Sequence, residues 1–201
     1  MIDFNEVLPE LYVGSCPEGI PDIEELRQGS RITALLSLQS DEDLRERGLH
    51  WPILKEAYRG FEIEGHRVPM RDFDYDDQRR VLPDAVRTLA KLLAYGHTVY
   101  LHCNVGVGRS PLVAMAYLYW CRGLVLHEAI RYVEARRPCS PYDDLLEVSR
   151  NDLLGSPEAQ RMIRERAAEI ARERRTGVRD QAHSLAEAEQ TVLRELLGLG
   201  P

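Results

Sequence analysis

Residues 97–120 read HTVYLHCNVGVGRSPLVAMAYLYW: an apolar run of strand length passes through a short glycine-containing loop straight into an apolar run of helix length. This stretch constrains the fold more than any other, because a strand that turns at once into a helix needs a sheet with that helix packed over it. Three further strand-like runs precede it, ELYVGS, RITALLSL (31–38) and HRVPM (66–70), separated by helical periodicity, so residues 1–155 are expected to form one α/β domain. Residues 31–38 are apolar almost throughout, as in a central strand covered on both faces. A mainly parallel central sheet flanked by helices follows, with the third run expected beside the fourth. LPDAVRTLAKLLAYG sets Val86, Leu89, Leu92 and Leu93 on one face, with Pro83 near its start and Gly96 at its end, which predicts a helix. Three more helices are expected over 111–123, 125–137 and 140–155.

The loop itself carries chemistry. It lies at the carboxyl end of a strand, where open α/β sheets bind ligands. The backbone N–H groups of Asn104, Val105, Gly106, Val107 and Gly108, together with the start of the next helix, are expected to cradle an anion. Gly106 and Gly108 permit the tight turn. Arg109 is placed to fold back over the cradle and bind two phosphate oxygens with its planar fork. Cys103 then lies at the floor, beside an arginine and a helix N-terminus, a setting that favours thiolate at neutral pH. The expected reaction is attack by Cys103 on a phosphate monoester, giving a cysteinyl-phosphate that water hydrolyses. Ser110 can donate to the sulfur as it leaves, and His102 is expected to orient the loop rather than act as a base. The departing alkoxide needs a proton from elsewhere. Asp72 in VPMRDFDYDD is the first choice of acid, with Asp74, Asp76 and Asp77 as alternatives.

Composition narrows the ligand. A formal net charge of −7 argues against a nucleic-acid partner, which needs clustered Lys and Arg, so any attraction for an anion must be local. Arg71 and Arg136 could supply it, while most of Arg71, Arg79, Arg80, Arg136 and Arg137 are expected at the surface. The apolar runs are too short for a membrane span. Cys16, Cys103, Cys121 and Cys139 have no metal-ligand spacing, and neither metal nor cofactor is expected. Four sparse cysteines and an N-terminus without signal or transit character point to a reducing, cytoplasmic compartment. From Ser156 the character changes. A narrow stripe of Ala159, Ile163, Ala167 and Ile170 is followed by a broader face of Leu185, Val192, Leu193, Leu196 and Leu197. Residues 156–201 are therefore expected as a helical extension that packs on the catalytic domain, on itself, or on a second subunit or other partner.

The HC-x5-R pattern of residues 102–109 resembles that of the cysteine-dependent phosphatases, and the spacing from Asp72 to Cys103, with Val68-Pro69 ahead of the aspartate, resembles the dual-specificity branch. RDFDYDDQRRVLPDAV is similar to the acid loop of plant starch (glucan) phosphatases, and HCNVGVGRS to the loop of laforin-type glycogen phosphatases. LYVGSCPEGIPDIEELR and RRPCSPYDDLLEVSRNDLLG also resemble the plant enzymes, so the likeness covers about residues 5–155. It implies a dual-specificity (protein tyrosine) phosphatase-like fold and removal of phosphate from an α-glucan. It further implies that Phe73 contacts the sugar, with Tyr75, Trp51, Tyr58, Phe61 and Tyr142 as other aromatic candidates, and that Cys16 can form a regulatory disulfide with Cys103. Two positions depart from the plant pattern: Ser140 stands where an aromatic is usual, and Ser110 where alanine is usual. With the tail too short for a carbohydrate-binding module, the catalytic domain itself is expected to hold the polymer. Two other functions fit the residues: a dual-specificity phosphatase acting on phosphoproteins, phosphoinositides or another small phosphate ester, and a non-catalytic phosphate- or glucan-binding scaffold. The joint presence of Cys103, Arg109, Ser110 and Asp72 argues against the scaffold.

Overall fold

Period-2 alternation divides the sheet's side chains between two cores. In the computed structural model, which describes residues 2–174 and 181–199, the strands are β1 (Phe4–Leu8), β2 (Leu11–Gly14), β3 (Ala34–Ser37), β4 (Glu64–Arg67) and β5 (Val99–His102). Their order is β1-β2-β5-β3-β4, with β1 antiparallel to β2 and every other pair parallel. Ala34, Leu36, Val99 and Leu101 point into the larger core, while Leu35 and Tyr100 point into the smaller one. Both β3 and β5 are buried along their whole length, as expected of strands covered on two faces.

The smaller core is closed by α1 (Ile20–Gly29) and α3 (Trp51–Gly60), through Ile23, Leu26 and Tyr58. The larger is closed by α4 (Tyr75–Ala94), α5 (Arg109–Trp120), α6 (Leu126–Glu134) and α7 (Leu145–Leu154). The short helix α2 (Asp41–Glu46) follows β3 and opens with a capping box in which Ser40 and Asp43 bond each other's backbone N–H. Helix α5 is buried on nearly every side. That is why its sequence shows no polar face.

Three expectations need correction. The run 66–70 is not beside the fourth strand, because β3 stands between β4 and β5. The acid loop still reaches the site, since Val68 N–H bonds Ser37 O and Met70 N–H bonds Leu38 O, carrying the chain across the carboxyl end of β3. The helix placed to start near Pro83 begins at Tyr75 instead, with Asp74 as its cap and Pro83 inside it. The last expected helix begins at Leu145, not at residue 140.

Helices α8 (Pro157–Arg174) and α9 (Gln181–Leu196) pack on each other and on α5 and α7. Ala159, Ile163, Ala188, Val192, Leu193 and Leu197 are buried in the same core as the sheet. Of the destinations open to the tail's apolar stripe, the fold realises the first two. Among the described residues no helix is long and apolar enough to cross a membrane.

Candidate active site

The loop after β5 is shaped from outside. Its carbonyls are taken one after another: His102 Nδ1 lies 2.9 Å from Cys103 O, Cys16 N–H bonds Asn104 O at 3.0 Å, and Ser140 N–H bonds Val107 O at 3.0 Å. Between them Arg137 donates to Val105 O at 3.1 Å and to Gly106 O at 2.5 Å. In a planar trans peptide the next residue's N–H points opposite to the carbonyl. Holding the four carbonyls of residues 104–107 outward therefore turns the N–H groups of residues 105–108 inward, as an anion cradle requires. The Gly106 N–H reaches Cys103 Sγ at 3.3 Å, and Ser110 Oγ donates to the same sulfur at 3.4 Å.

Gly106 is needed twice over. Its φ is +72°, and a Cβ there would come within 2.5 Å of Gly14 and of Arg137. Arg137, one of five arginines most of which are expected at the surface, is buried, with its other donors on Asn5 (2.9 Å) and Asp3 (3.0 Å). His102 is wholly buried, and burial pushes its pKa down to about 4, so the ring is neutral and Nδ1 is the donor to Cys103 O.

Arg109 is also fully buried. Nη1 donates to Asp43 Oδ2 at 2.6 Å and to Met70 O at 2.8 Å, and Nη2 to Asp72 Oδ2 at 2.9 Å, while Nε has no partner. Burial alone would lower its pKa; Asp43 and the charges of Cys103 and Asp72 outweigh that and raise it. The Nε–Nη2 edge is thus the one available to two oxygens of a tetrahedral anion, with Asp72 resting on part of it.

The four candidate acids separate by contact. Asp74 caps α4 through the Asp77 N–H, and Asp77 accepts the Arg71 N–H at 2.8 Å and pairs with Arg80. Asp76 is exposed. Only Asp72 touches Arg109 among these four. The next residue, Phe73, has φ of 54° and is 86% exposed, so a left-handed backbone holds its ring in solvent beside Asp72. Phe73, Asp72 and Gln78 face Gly108, Ser140, Pro141 and Tyr142 across a cleft. Tyr75 stands behind that rim, with its hydroxyl on Asp144 at 2.5 Å and its ring edge-on to Tyr142 at 5.5 Å. Trp51 and Tyr58 on α3, and Phe61 at its end, belong to the smaller core.

Cys16 is buried beside the loop, with Sγ donating to Pro17 O at 3.3 Å and Gln39 Oε1 at 3.4 Å. Burial pushes its thiol up to about 11. All four cysteines are free thiols. Among the described residues no cluster of three or more His, Cys, Asp or Glu is placed to hold a metal ion. Asp43 and Arg137 are the two site residues that the sequence reading missed. The S-x-x-D capping signature at Ser40–Asp43 was the one available signal for the first.

Residues 11–146 match the family model for the catalytic domain of dual specificity phosphatases. The chain belongs to the dual specificity phosphatase family. Within it, the chain is 34% identical over 155 residues to the phosphoglucan phosphatase DSP4 of Castanea sativa, covering 76% of this chain and 41% of that one. It is 28% identical over 151 residues to laforin of Mus musculus, covering 70% of this chain and 46% of that protein. The chain thus spans less than half the length of these relatives. Among solved dual specificity phosphatase-like folds, the crystal structure of PTPMT1 superposes with a TM-score of 0.60 at 20% identity, covering 83% of this chain and 99% of that one. Kinase associated phosphatase superposes with a TM-score of 0.60 at 19% identity, covering 78% and 96%. The family's cysteine loop is the one assembled above between β5 and α5.

Proposed function

We propose that the chain hydrolyses phosphate monoesters through a cysteinyl-phosphate, and that its substrate is a phosphorylated α-glucan. Cys103 Sγ attacks phosphorus, the cradle and Arg109 take the equatorial oxygens, and Asp72 protonates the departing sugar oxygen. Water then attacks the cysteinyl-phosphate, returning a proton to Asp72, while Ser110 donates to the leaving sulfur. A phosphate entering the site competes with Asp72 for Arg109 Nη2, which frees the carboxyl to turn toward the leaving oxygen.

The observation that carries the glucan reading is Phe73: an aromatic held in solvent by a left-handed backbone, next to the acid and across a cleft from Tyr142. An apolar sugar face stacks on such a ring, and a glucan chain can lie along the cleft. The phosphoglucan phosphatase DSP4 and laforin as similar sequences support the same substrate class. Purified protein should release phosphate from phosphorylated amylopectin well above release from phosphopeptide or phosphoinositide at equal phosphate concentration. The reverse ranking overturns the reading. Phe73→Ala should lower glucan turnover about three- to tenfold more than turnover of a small aryl phosphate.

Two further parts belong to this proposal. A disulfide between Cys16 and Cys103 is proposed as a redox switch, supported by the backbone bond from Cys16 to Asn104, one residue past the nucleophile. A reducing, cytoplasmic compartment is also proposed, on the four sparse cysteines of the sequence.

A further inference from the structure

Arg109 faces two carboxylates, and they are held very differently. Asp43 is 6% exposed and accepts hydrogen bonds from Arg109 Nη1 (2.6 Å), the Ser40 N–H (2.7 Å), Ser40 Oγ (2.9 Å) and Asn104 Nδ2 (2.5 Å). Asp72 has one bond to the arginine, and its side chain is 31% exposed on a loop. The first carboxylate is built in; the second can leave. The split of Asp43 is itself informative: Oδ2 holds Arg109, while Oδ1 holds Asn104, the residue after the nucleophile. One side chain thereby ties the guanidinium to the cradle.

Resting on the phosphatase reading above, we propose that Asp43 is a positioning residue whose fixed negative charge serves as the counter-ion of Arg109 and so leaves Asp72 free to carry the proton. A carboxyl beside an uncompensated arginine is held ionised, and an ionised Asp72 cannot protonate a leaving group. Burial would raise the Asp43 pKa, but hydrogen bonds from Arg109 and from the Ser40 backbone outweigh it and hold the carboxyl below its usual range, so the charge is present throughout neutral pH. The other charged or titratable groups around the pair include Cys103 in the loop and His102 at the end of β5, Arg71 and Asp74 in the acid loop, and Glu42 and Glu46 on α2. None of them is hydrogen-bonded to Arg109.

Asp43 also completes the cap of α2, so a purely structural role must be separated from this one. The experiment measures kcat/KM against pH for the full chain with 4-nitrophenyl phosphate, a good leaving group, and phenyl phosphate, a poor one. In Asp43→Asn, which loses the charge and keeps one of the two accepting oxygens, kcat/KM for phenyl phosphate should fall about tenfold further than for 4-nitrophenyl phosphate, and its alkaline limb should move to lower pH. In Ser40→Ala, which weakens the cap and keeps the charge, Tm should fall while the limb stays in place. Equal losses on both substrates with an unmoved limb, or the same movement in Ser40→Ala, would overturn the proposal. Should Asp43→Asn fail to fold, Asp43→Glu reads the same quantity: the limb at its wild-type position supports a role for charge, and a displaced limb overturns it. No turnover of either substrate by the wild-type chain would overturn the phosphatase reading itself.

Discussion

Arg137 holds the cradle without touching its interior. Its guanidinium spans Val105 O and Gly106 O on one side and Asn5 and Asp3 on the other, almost without exposure. A lysine ends in a single ammonium and cannot bridge these positions. Arg137→Lys should therefore leave at least one loop carbonyl buried and unbonded, costing about 1–3 kcal/mol in denaturant unfolding. It should also weaken binding of tungstate, a phosphate mimic, because peptides released from Arg137 no longer turn their N–H groups inward. Unchanged tungstate affinity would show that the loop keeps its shape by other means. At this scale the meeting of Cys103, Arg109, Ser110 and Asp72 at one place was legible, because the first three share a single short spacing and the fourth sits in a run of aspartates after a strand. Asp43 and Arg137 were not. Their partners in the site lie 66 and 31 residues away: the S-x-x-D signature marks Asp43 as a helix cap but not as the partner of Arg109, and nothing local distinguishes a buried guanidinium from a surface one.

Helix α4 shows how an element can contradict a sound local rule. Proline suits the first turn of a helix, so Pro83 reads as a start, yet the helix runs eight residues upstream to its true beginning at Tyr75. A proline inside a helix leaves the carbonyl four residues back without its donor. Here that carbonyl is Arg79 O, and Ser149 Oγ of α7 supplies the missing bond at 3.2 Å. The Arg79 side chain adds a two-pronged pair with Asp152 on α7, at 2.6 and 2.7 Å. The interruption in α4 has thus become its attachment to α7, and through Tyr75 and Asp144 the acid loop is tied to the same segment. Ser149→Ala should destabilise the protein by about 1 kcal/mol, since a partly buried acceptor loses its donor. In a Pro83→Ala background, where a backbone N–H is restored, the same substitution should cost about half as much or less. Equal costs in the two backgrounds, measured by denaturant titration, would disprove the link. The strand order escaped the sequence for a related reason: β3, β4 and β5 all read as parallel strands, and only the helices crossing between them decide which lies in the middle.

At the scale of the whole molecule, the tail is where pattern and fold meet most directly. The stripe of Val192, Leu193 and Leu197 announced a helix needing cover, and it is covered by the chain's own catalytic unit. Polar contacts fix the fit: Gln190 donates to Trp120 O, Arg194 to Cys121 O at 3.1 Å, and Arg150 pairs with Glu189 at 2.9 Å. Periodicity predicted the face but could not name its partner, because an apolar stripe is equally satisfied by a core, a neighbouring helix or a second subunit. Truncation after Gly155 tests which of these matters. Burial of a Val or Leu side chain is worth about 1.5–3 kcal/mol, and three such residues of the tail are lost together with the surface that α9 covers on α5 and α7. The total is comparable to the roughly 5–15 kcal/mol that holds a typical domain folded. The truncated chain should therefore be insoluble or melt far below the full chain, even though every residue of the phosphate cradle is retained. If it instead stays soluble with its Tm and aryl phosphate turnover intact, α8 and α9 do not stabilise the catalytic unit, and their contact surface is free to serve another partner.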